Sequence, residues 1–536
     1  MSPQGSLSCL MSPRRSSISK QTAEDCTLPT TGVKEFNSIL KDTRNVDVLF
    51  GYAYPSTYRA GMTGLATHLF YSILNGREDT SCERYFRYDV ASPCHSVESG
   101  RPLKENHIVG FSLTYEEDIL NLIQMLDSGN IPIMAQQRSE TDPIVLVGGP
   151  VPSANPEPYA DFVDAFVIGE GDLVISQIVN AAVSLSSRSE IIKGLAEIEG
   201  VYVPAAGQDE VRRLRISQLD SLYHPTAQII PDVPEGSTLE PVFGRSLLVE
   251  TTRGCSYSCK FCLVGHICRP KRSRSLERLK DIISRGVQET PVHKIALIAS
   301  SLGDIDGLGD LASWIVDRGL GLSVPSLRAD SVSGELLSIL VRGAQKTFTI
   351  APETGSQKLR RSAGKTLSDD EIENTVQMAA KAGFAALKLY FMIGLPGETD
   401  EDVKTIVTMV ERLVKMSGMR VTVSLNPFIP KAHTDWEREA QPSIENMRAK
   451  IRIVERGLRS TKRVEFEALD PRSARIQAAL SIGDRSLGKA ILLAARYGGY
   501  GGWRRAERES GVPILSMASD TRRIDGHLPW DFIKNQ

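Results

Sequence analysis

Residues 247–262 read LLVETTRGCSYSCKFC, an apolar run that passes directly into a loop with three cysteines. Cys255, Cys259 and Cys262 have the spacing C-x3-C-x2-C. Short spacings of this kind let one loop wrap a metal centre, because the positive metal stabilises each thiolate. The spacing favours an iron–sulfur cluster over zinc, since structural zinc sites use four protein ligands and other spacings. His266 and Cys268 are the candidates for a fourth ligand, and both are interpreted as bystanders.

Strand and helix signals alternate on the C-terminal side of this point. Strands are predicted at 247–252, 294–300, 321–327, 346–351, 385–392 and 420–427, with helical stretches between them. Six such units predict a partial (β/α)6 TIM-type barrel. Barrels of this type place the active site at the carboxyl ends of their strands, and the cysteine loop begins at that edge.

A second alternation of strands and helices precedes the cysteine loop. Its predicted strands are 46–53, 107–114, 143–148 and 163–168. The last two end in the glycine-rich turns 148–150 and 169–172. This pattern predicts a Rossmann-like parallel α/β domain that binds ligands at the carboxyl edge of its sheet. No G-x-G-x-x-G opens a helix here, so dinucleotide binding is not supported.

The predicted fold class is α/β, with five segments along the chain. They are a disordered extension at 1–42, a Rossmann-like domain at 43–200, a connector at 201–246, the partial barrel at 247–440 and a small, mainly helical C-terminal domain at 441–536. The extension is rich in serine and threonine, and Arg14 and Arg15 within it leave an organelle transit peptide as a minority alternative.

Composition excludes several classes of protein. The 536 residues contain 63 Lys+Arg and 65 Asp+Glu, a net charge of −2, which excludes a bulk polyanion binder and a highly charged disordered chain. No apolar run approaches the ~18 residues of a membrane span, so a cytoplasmic protein without membrane contact is predicted. Eight cysteines are too few for a disulfide scaffold of this length. The remaining cysteines are interpreted as ordinary thiols: Cys9, Cys26, Cys82 and Cys94.

The cysteine motif resembles that of the radical S-adenosylmethionine superfamily. It follows the first barrel strand, with Gly254 before it and Phe261 between the last two cysteines. The segments APETGSQKLRR at 351–361 and KLYFMIGLPGETDED at 388–402 resemble a largely uncharacterised subgroup of this superfamily. Members of that subgroup carry an N-terminal cobalamin-binding-like domain.

The resemblance implies a cofactor set and a reaction. Cys255, Cys259 and Cys262 would hold a [4Fe–4S] cluster whose open iron chelates the amino and carboxylate groups of S-adenosylmethionine. An external electron donor would drive cleavage to methionine and a 5′-deoxyadenosyl radical, which modifies an unknown substrate. Methyl transfer is the specific reaction that a bound cobalamin would imply.

The resemblance also assigns residues at the strand ends to S-adenosylmethionine. Ser301 and Gly303 stand where the methionine moiety is held, and Ser326 and Arg328 could meet the carboxylate or the ribose. The later strands contribute Glu353 as a ribose acceptor, Lys388, Gly394 and, near the adenine, Asn426.

Each of these assignments has a structural alternative. Arg328 could pair with a barrel carboxylate, and Glu353 could cap the helix after Thr354. Lys388 could form a salt bridge in the barrel wall, and Gly394 could serve only a strand-to-helix turn. The basic run at 269–274 is interpreted as a solvated face, with contact to a phosphate-bearing substrate as the minority alternative.

Cobalamin stays an open expectation for the first domain. Domains that replace the lower axial ligand of cobalamin carry D-x-H-x2-G, and residues 40–200 contain no such string. Some radical enzymes bind cobalamin without this histidine. The alternative is a degenerate Rossmann-like domain that shapes the substrate entrance.

Two other functions remain open. A methylthiotransferase-like modifier of RNA or protein would need a second set of three cysteines and a small β-barrel tail, neither of which is evident. A non-catalytic iron–sulfur or zinc protein could bind RNA or ribosomes through the C-terminal region, where basic residues outnumber acidic ones. The sequence leaves a small molecule, RNA or protein as the substrate, and nucleic acid is weakly supported.

Overall fold

The structure is a computed structural model that describes residues 33–87, 93–519 and 526–535. The predicted extension at 1–42 lies outside the described residues as far as residue 32, and so do Cys9 and Cys26. Residues 33–42 differ from the prediction, because strand β1 (Glu35–Phe36) pairs antiparallel with β9 (Ile230–Pro231). The chain is therefore already tied to the rest of the fold at residue 35.

The N-terminal sheet has six strands in the order β3-β2-β4-β5-β6-β7, and only β7 is antiparallel to its neighbour. Its strands are β2 (Val48–Tyr54), β3 (Thr80–Phe86), β4 (Ile108–Ser112), β5 (Ile144–Gly148), β6 (Ala165–Val167) and β7 (Val201–Tyr202). Its helices are α1 (Tyr58–Thr63), α2 (Leu65–Asn75), α3 (Asp118–Ser128), α4 (Pro150–Ala154), α5 (Ile175–Ser184) and α6 (Arg188–Ala196). Ile108 and Val109 belong to two separate apolar cores, as expected for a sheet covered on both faces.

Strand β3 is not predicted by the sequence pattern, because TSCERYF places Glu83 and Arg84 inside a strand whose residues are all buried. Arg84 is ion-paired with Glu35 and Glu98, and all three side chains are at most 3% exposed. Buried charges are tolerated where they are paired and hydrogen-bonded. Glu35 comes from β1, so this strand depends on a contact that no local pattern reveals.

The barrel contains seven parallel strands in two sheets, one strand more than predicted. The first sheet contains β10 (Ser246–Glu250), β13 (Lys294–Ile298) and β14 (Gly321–Ser323). The second contains β15 (Thr347–Glu353), β16 (Ala386–Ile393), β17 (Arg420–Pro427) and β18 (Val464–Ala468). The structure differs from the predicted boundary at residue 440, because β18 pairs in parallel with β17 and extends the barrel sheet.

Helices cover the outer face of the barrel strands. They are α8 (Leu276–Glu289), α9 (Leu308–Val316), α10 (Gly334–Arg342), α12 (Asp369–Ala382), α13 (Asp400–Ser417) and α14 (Ile444–Leu458). Their apolar faces share one core with alternate strand residues such as Leu387 and Leu389. Lys388 and Tyr390 alternate with these residues, so they face the interior of the barrel.

Short elements surround the cysteine loop. They are the antiparallel pair β11 (Thr252–Arg253) and β12 (Arg272–Ser273), and the helices α7 (Val264–Ile267) and α11 (Gln357–Ser362). The loop with the three cysteines runs from β11 to α7 and lies at the carboxyl end of β10. The predicted α/β class and the TIM-type arrangement are confirmed, and the cysteines occupy the expected edge.

The C-terminal part is mainly helical and packs against the N-terminal sheet. Its elements are α15 (Pro471–Ile482), α16 (Gly488–Tyr497), α17 (Gly499–Ser510), α18 (Ile514–Met517) and β19 (Ile533–Lys534). Ile476, Ala490 and Trp503 share an apolar core with Val109 and Phe111. β19 pairs in parallel with β8 (Val211–Arg212), which lies in the connector. The described helices include none that is both long enough and apolar enough to cross a bilayer.

Candidate active site at the carboxyl ends of the barrel strands

The three cysteines lie on one partly exposed loop. Cys255, Cys259 and Cys262 are each half-buried, and the Cys262 amide donates to the Cys259 carbonyl at 3.0 Å. No three His, Cys, Asp or Glu side chains within the described ranges are grouped so that they could hold a metal ion. That finding concerns side chains that meet at one ion. Cysteine ligands of a cubane bind different irons, and so do not meet at one point.

The thiols lie in an environment that disfavours free thiolates. Burial raises the pKa of Cys259, and it raises the pKa of Cys262 to about 12. Without a positive metal centre, these two thiols are therefore protonated at neutral pH. The chemistry of the donor set fits a group that brings positive charge into the loop.

Packing around Phe261 and Lys260 fixes the loop. The Phe261 ring lies 6.2 Å from the Trp436 ring, and the two share a small apolar cluster with Ala363 and Phe428. The Lys260 amide donates to the Ala363 carbonyl at 3.0 Å, and the Lys260 carbonyl accepts from the Trp436 amide at 3.2 Å. The aromatic residue between the last two cysteines thus anchors the loop to the fourth and sixth barrel strand ends.

Residues after β13 and β14 reach the loop through Tyr257. Its hydroxyl donates to Asp304 at 2.7 Å, and Ser301 donates to the other oxygen of the same carboxylate at 2.6 Å. The Arg328 guanidinium stacks on the Tyr257 ring, 3.6 Å from its centroid. The predicted residues Ser301 and Arg328 are therefore brought together beside the cysteine loop. Arg328 is also paired with Asp330, as its structural alternative proposed.

Gly303 and Ser326 belong to the same edge. A Cβ at Gly303 would lie 2.0 Å from the Ser331 hydroxyl oxygen, so the turn after β13 packs tightly on the turn that follows Arg328. Ser326 is exposed on the loop after β14. Close packing therefore accounts for Gly303, and Ser326 remains accessible to a ligand.

Glu353 ends β15 in a strained conformation. Its φ is +69°, which is unfavourable for a residue with a Cβ, and the strand register shifts between Ile350 and Glu353. The Lys365 ammonium donates to the Glu353 carboxylate at 2.8 Å and to the Ala351 carbonyl at 2.6 Å. The α11 cap is supplied by Ser356, so Glu353 is not the helix cap that its structural alternative proposed.

The remaining predicted residues differ in their positions. Lys388 lies in the middle of β16 and forms an ion pair with Glu467 at 3.0 Å, which matches its barrel-wall alternative. Gly394 follows β16 with φ +76°, and its amide donates to Glu398 at 2.6 Å. Asn426 is half-buried near the end of β17. Gly394 and Asn426 therefore lie at the same edge as the cysteines, whereas Lys388 lies deeper.

The basic run at 269–274 is not a solvated face. Arg272 and Arg274 are buried and paired with Glu170 at 2.7 Å and Glu250 at 3.4 Å. Arg269, in the same run, donates to the Tyr257 carbonyl at 2.7 Å. Charge spacing alone could not show this, because the carboxylate partners come from other parts of the chain.

His266 and Cys268 take no part in the cysteine constellation as ligands in the described arrangement. His266 hydrogen-bonds to the Cys262 carbonyl at 2.8 Å and to Asp435 at 3.2 Å. Cys268 is buried, and burial raises the pKa of its thiol to about 11. His266 thus contacts the loop through its backbone, Cys268 lies in the apolar core, and their interpretation as bystanders stays a prediction.

Arg253, two residues before the first cysteine, connects the loop to the N-terminal domain. Its guanidinium is paired with Glu250 at 2.8 Å, Asp172 at 2.9 Å and Glu170 at 3.2 Å. Burial would raise the pKa of Glu250, but the ion pairs with Arg253 and Arg274 outweigh it and lower the value to about 2. The turn at 169–172 is thus fixed to the strand that precedes the cysteines.

A cavity of about 170 Å³ lies beside this ion-pair network, at the carboxyl edge of the N-terminal sheet. Its walls are largely apolar and include Phe50, Tyr52, Phe70, Leu146 and Val167. A cavity of about 150 Å³ is enough to hold a benzene ring. The volume and the walls therefore suit an aromatic group of modest size.

The glycine turns next to this cavity face the chain's own backbone. A Cβ at Gly149 would lie 2.5 Å from the Leu113 carbonyl oxygen, and one at Gly169 would lie 2.3 Å from that of Leu214. Both glycines have positive φ, +111° and +102°. These turns serve close backbone packing rather than an open ligand cradle.

Comparison with known proteins gives a consistent assignment. Residues 249–410 match the family described as "Radical SAM superfamily", and residues 66–204 match "Radical SAM proteins, N-terminal". An uncharacterized protein of Methanocaldococcus jannaschii is 32% identical over 460 residues, which are 84% of this chain and 92% of the relative. An uncharacterized methyltransferase of Pyrococcus horikoshii is 27% identical over 297 residues, 54% of this chain and 62% of the relative.

Among solved structures, the chain is similar to the radical S-adenosylmethionine methyltransferase TsrM of Kitasatospora setae, solved with cobalamin and a [4Fe-4S] cluster bound. The TM-score is 0.50 at 15% identity, over 88% of this chain and 99% of TsrM. Identity at this level shows a shared fold only. The likeness therefore supports the arrangement of an N-terminal α/β domain with a barrel.

The chain belongs to the radical S-adenosylmethionine superfamily. It is therefore a radical S-adenosylmethionine enzyme, the class that works with a [4Fe–4S] cluster and S-adenosylmethionine. This confirms the family and the enzyme class predicted from the cysteine motif.

Sequence reasoning does not identify Tyr257 and Lys365 as parts of this site, and it includes Asp304 only through its backbone, at the end of the second barrel strand. Tyr257 lies inside the cysteine motif, so its position was a usable signal. Asp304 directly follows the candidate Gly303, and Lys365 lies four residues beyond the segment at 351–361. Only the folded chain shows that they contact the loop or the end of β15.

Proposed function

We propose that Cys255, Cys259 and Cys262 ligate the [4Fe–4S] cluster and that the surrounding strand ends bind S-adenosylmethionine. The enzyme cleaves S-adenosylmethionine reductively and modifies a substrate held in the barrel. The nature of that substrate, as a small molecule, RNA or protein, stays open. An external electron donor and a cytoplasmic location are predictions that accompany the proposal.

The observation that supports this proposal is the contact of one loop with three strand ends. Tyr257 contacts Asp304 after β13 and Arg328 after β14, and Lys260 contacts Ala363, which follows β15 and α11. A cofactor bound at the loop would therefore lie within reach of groups from several strands. Active sites of TIM-type barrels are built in this way.

A [4Fe–4S] cluster held by Cys255, Cys259 and Cys262 would supply one-electron reduction of the sulfonium of S-adenosylmethionine. The protein binds and orients the sulfonium and excludes water from the radical. Phe261, Trp436 and Phe428 provide an apolar wall beside the loop, with the Phe428 and Trp436 rings 5.6 Å apart.

The strand-end residues divide into three groups in this proposal. Backbone groups at Ser301 and Gly303 hold the methionine moiety, and Ser326 offers a hydroxyl to the same ligand. Arg328 uses Nε and Nη2 for Asp330, which leaves Nη1 as its donor toward a carboxylate or ribose oxygen. Glu353 accepts from the ribose hydroxyls.

Gly394 and Asn426 complete the adenine side of the proposed site. Gly394 gives the turn after β16 its φ of +76°, and a Cβ there would lie 3.1 Å from the Pro442 ring, so the turn itself needs this glycine. Asn426 offers an amide for base recognition. Lys388 is better explained as a barrel-wall ion pair with Glu467, and its assignment to S-adenosylmethionine is the least supported.

The test is an anaerobic reconstitution with iron and sulfide, followed by dithionite and S-adenosylmethionine, in which 5′-deoxyadenosine is quantified. A Cys255→Ala/Cys259→Ala/Cys262→Ala variant is assayed beside the wild type. The proposal expects deoxyadenosine from the wild type only. A variant that still assembles the cluster and forms deoxyadenosine would show that other residues are the ligands.

Methyl transfer with cobalamin is the second element of the proposal. Cobalamin carries an aromatic benzimidazole group, and the cavity at the N-terminal sheet edge has the walls and volume for a group of that kind. No histidine is found among the described residues that line this cavity, in keeping with the missing D-x-H-x2-G string. Bound there, cobalamin would supply methyl-group chemistry. The chain would contribute the apolar side chains that line this cavity.

A titration of the purified protein with hydroxocobalamin, followed by visible absorption, tests this element. Ser112→Trp would fill part of the cavity that Ser112 lines, and Ser112→Ala is the matched control. The expected result is binding by the wild type and the alanine variant, with at least a tenfold loss for the tryptophan variant. Equal binding by both variants would place cobalamin elsewhere. If the wild type binds no cobalamin, the alternative holds, in which a degenerate Rossmann-like domain shapes the substrate entrance.

The other two functions find less support in the described structure. For a methylthiotransferase-like modifier, the N-terminal domain offers only Cys82 and Cys94, both buried with a raised thiol pKa. The described C-terminal part is mainly helical rather than a β-barrel. For a non-catalytic binding protein, a cluster that assembles without any cleavage of S-adenosylmethionine would be the decisive outcome of the first experiment.

A further inference from the structure

Residues 363–365, here called the clasp, join the cysteine loop to the end of β15. The Ala363 carbonyl accepts from the Lys260 amide at 3.0 Å. Gly364 has φ +78°, and a Cβ there would lie 2.5 Å from the Ser258 carbonyl oxygen and 3.4 Å from the Cys259 Cα. The clasp therefore touches the loop on both sides of Cys259, in the space between backbones that only glycine can occupy.

Lys365 connects the same clasp to Glu353. Lys365 is buried, with 7% of the residue exposed. Its ammonium donates to the Glu353 carboxylate at 2.8 Å and to the Ala351 carbonyl at 2.6 Å. Glu353 has φ +69°, a conformation that persists only where surrounding contacts enforce it. Lys365 supplies two such contacts, one to the side chain and one to the backbone two residues earlier.

A buried arginine keeps the clasp rigid from behind. Arg360 is fully buried and donates to the carbonyls of Pro352, Thr354 and Leu367. The Lys365 amide in turn donates to the Arg360 carbonyl at 3.0 Å. The end of β15 and the clasp are thus parts of one hydrogen-bonded unit, so a displacement of one is transmitted to the other.

We propose that Lys365 is a positioning residue that holds Glu353 in register with the cysteine loop, so that the cluster and the ribose acceptor for S-adenosylmethionine keep one fixed separation. This inference rests on the proposed function, because it assigns Glu353 to S-adenosylmethionine and the loop to the cluster. Lys365 acts through Glu353, to which its ammonium is paired, and through the neighbouring Gly364. Precise spacing matters here because small misplacements of a bound reactant greatly reduce reactivity.

The test is a double-mutant cycle on S-adenosylmethionine binding to the reconstituted holoenzyme. The variants are Lys365→Met, Glu353→Gln and the double variant, with the dissociation constant read from the change in the electron paramagnetic resonance signal of the reduced cluster. Lys365→Met should weaken binding at least about fivefold, and Lys365→Arg should restore most of it. Because Lys365 acts through Glu353, the double variant should bind no more weakly than Glu353→Gln alone.

Two results would overturn the inference. One is wild-type affinity in Lys365→Met, and the other is a double variant whose loss equals the product of the two single losses. Lys358→Met is the matched control, since Lys358 is exposed on α11 in the same segment and should leave binding unchanged. If Lys365→Met does not fold, Lys365→Gln replaces it with a neutral side chain that keeps an N–H donor.

A substitution at Gly364 tests the contact between the clasp and the cysteine loop independently. Gly364→Ala should displace the loop at Cys259 and lower the iron content or alter the cluster signal, whereas Gly319→Ala should change neither. Gly319 has almost the same φ, +76°, but nothing lies within 4 Å of its Cβ position. A Gly364→Ala enzyme with wild-type iron content and signal would contradict the clasp contact. A wild type that never forms a cluster or deoxyadenosine would instead refute the proposed function itself.

Discussion

The two parallel sheets end in similar turns, yet they use these turns for different purposes. At the barrel edge, the loop after β10 presents three half-buried thiols beside residues from neighbouring strand ends. At the edge of the N-terminal sheet, Gly149 and Gly169 pack against the backbone of Leu113 and Leu214. The first edge carries the candidate cluster ligands, and at the second edge the glycine turns are filled by the chain's own backbone beside an apolar cavity.

This difference shows what a glycine at a strand end signifies. Glycine permits a close backbone approach, but the approaching partner can be a ligand or another segment of the same chain. At the N-terminal edge the partners are Leu113, which follows β4, and Leu214 in the connector, which also pairs with β19. The side chains there, Glu170 and Asp172, bind Arg253 and so serve the junction with the barrel.

The largest expected effect comes from breaking this junction. Arg253→Met would leave Glu170, Asp172 and Glu250 as buried carboxylates without their shared cation. Removing one partner of a buried ion pair typically costs about 3–5 kcal/mol. Chemical denaturation of the variant should show a loss of this order in the free energy of unfolding.

Arg278→Met is the control for that measurement. Arg278 is paired with Asp281 on the exposed face of α8, and such pairs contribute about 0–1 kcal/mol. A loss in Arg253→Met no larger than in Arg278→Met would mean that the junction is not a stabilising element.

The next effect concerns the closed glycine turns. Gly169→Ala would place a methyl group 2.3 Å from the Leu214 carbonyl oxygen in a backbone conformation with positive φ. Overpacking and left-handed strain together should destabilise the protein by about 2–4 kcal/mol. Thermal unfolding of Gly169→Ala, compared with that of Gly207→Ala, separates the cost of overpacking from the cost of the backbone strain.

Gly207 has φ +64° with nothing within 4 Å of its Cβ position, so its replacement reports the strain alone, about 1 kcal/mol. If the two variants lose the same stability, the turn at Gly169 is open rather than closed. Gly169 would then belong to a turn that is open to a ligand.

Local patterns were sufficient for the elements whose partners are apolar. The barrel strands were placed by runs such as KIALIAS, and the cysteine loop was placed at their carboxyl edge. The pattern fails for β3, where Glu83 and Arg84 are buried. For β18 the sequence indicates a short strand near Val464 to Glu467 but does not indicate its pairing with β17 in the barrel sheet. Arg84 in β3 is paired with Glu35 of β1, and β18 joins the sheet through β17, so no local window shows the buried ion pair or the sheet that β18 enters.

For the site, as for the fold, the sequence predicts the local features but not the contacts between distant segments. The spacing of the cysteines is a local property, and the family resemblance supplied candidates at each strand end. The pairing of Arg328 with Asp330, the ion pair of Lys388 with Glu467 and the hydrogen bond of Tyr257 to Asp304 depend on how strands and loops meet. Such contacts decide which candidate is accessible to a ligand.

A smaller effect concerns the pH dependence of the junction. The pKa of Glu250 in the folded protein is about 2, below the 4.5 of a free glutamate. Its contribution to stability is therefore complete above pH 4.5 and is lost as the pH falls toward 2. In this window the free energy of unfolding should fall with decreasing pH, with a contribution from this group of at most about 1.4 kcal/mol per pH unit.

Glu250→Gln removes that titration, so its stability should depend less steeply on pH between 4.5 and 2 than that of the wild type. Urea unfolding at several pH values measures both slopes. Parallel slopes would show that Glu250 is not held as an anion by Arg253 and Arg274.

The smallest effect returns to the barrel edge. Tyr257→Phe removes the hydroxyl that donates to Asp304 but keeps the ring on which Arg328 stacks. The loss should be about 1 kcal/mol, the usual net contribution of one hydrogen bond, because the Asp304 oxygen then becomes accessible to water. Tyr497→Phe is the matched control, since Tyr497 donates to Glu509 at 2.7 Å on an exposed helix face, where water can replace the bond. If Tyr257→Phe costs several kcal/mol, the cysteine loop is held as rigidly as the N-terminal edge. A loss near 1 kcal/mol means instead that the loop keeps the freedom to adjust when a cofactor binds, which is the property that distinguishes a site from a closed turn.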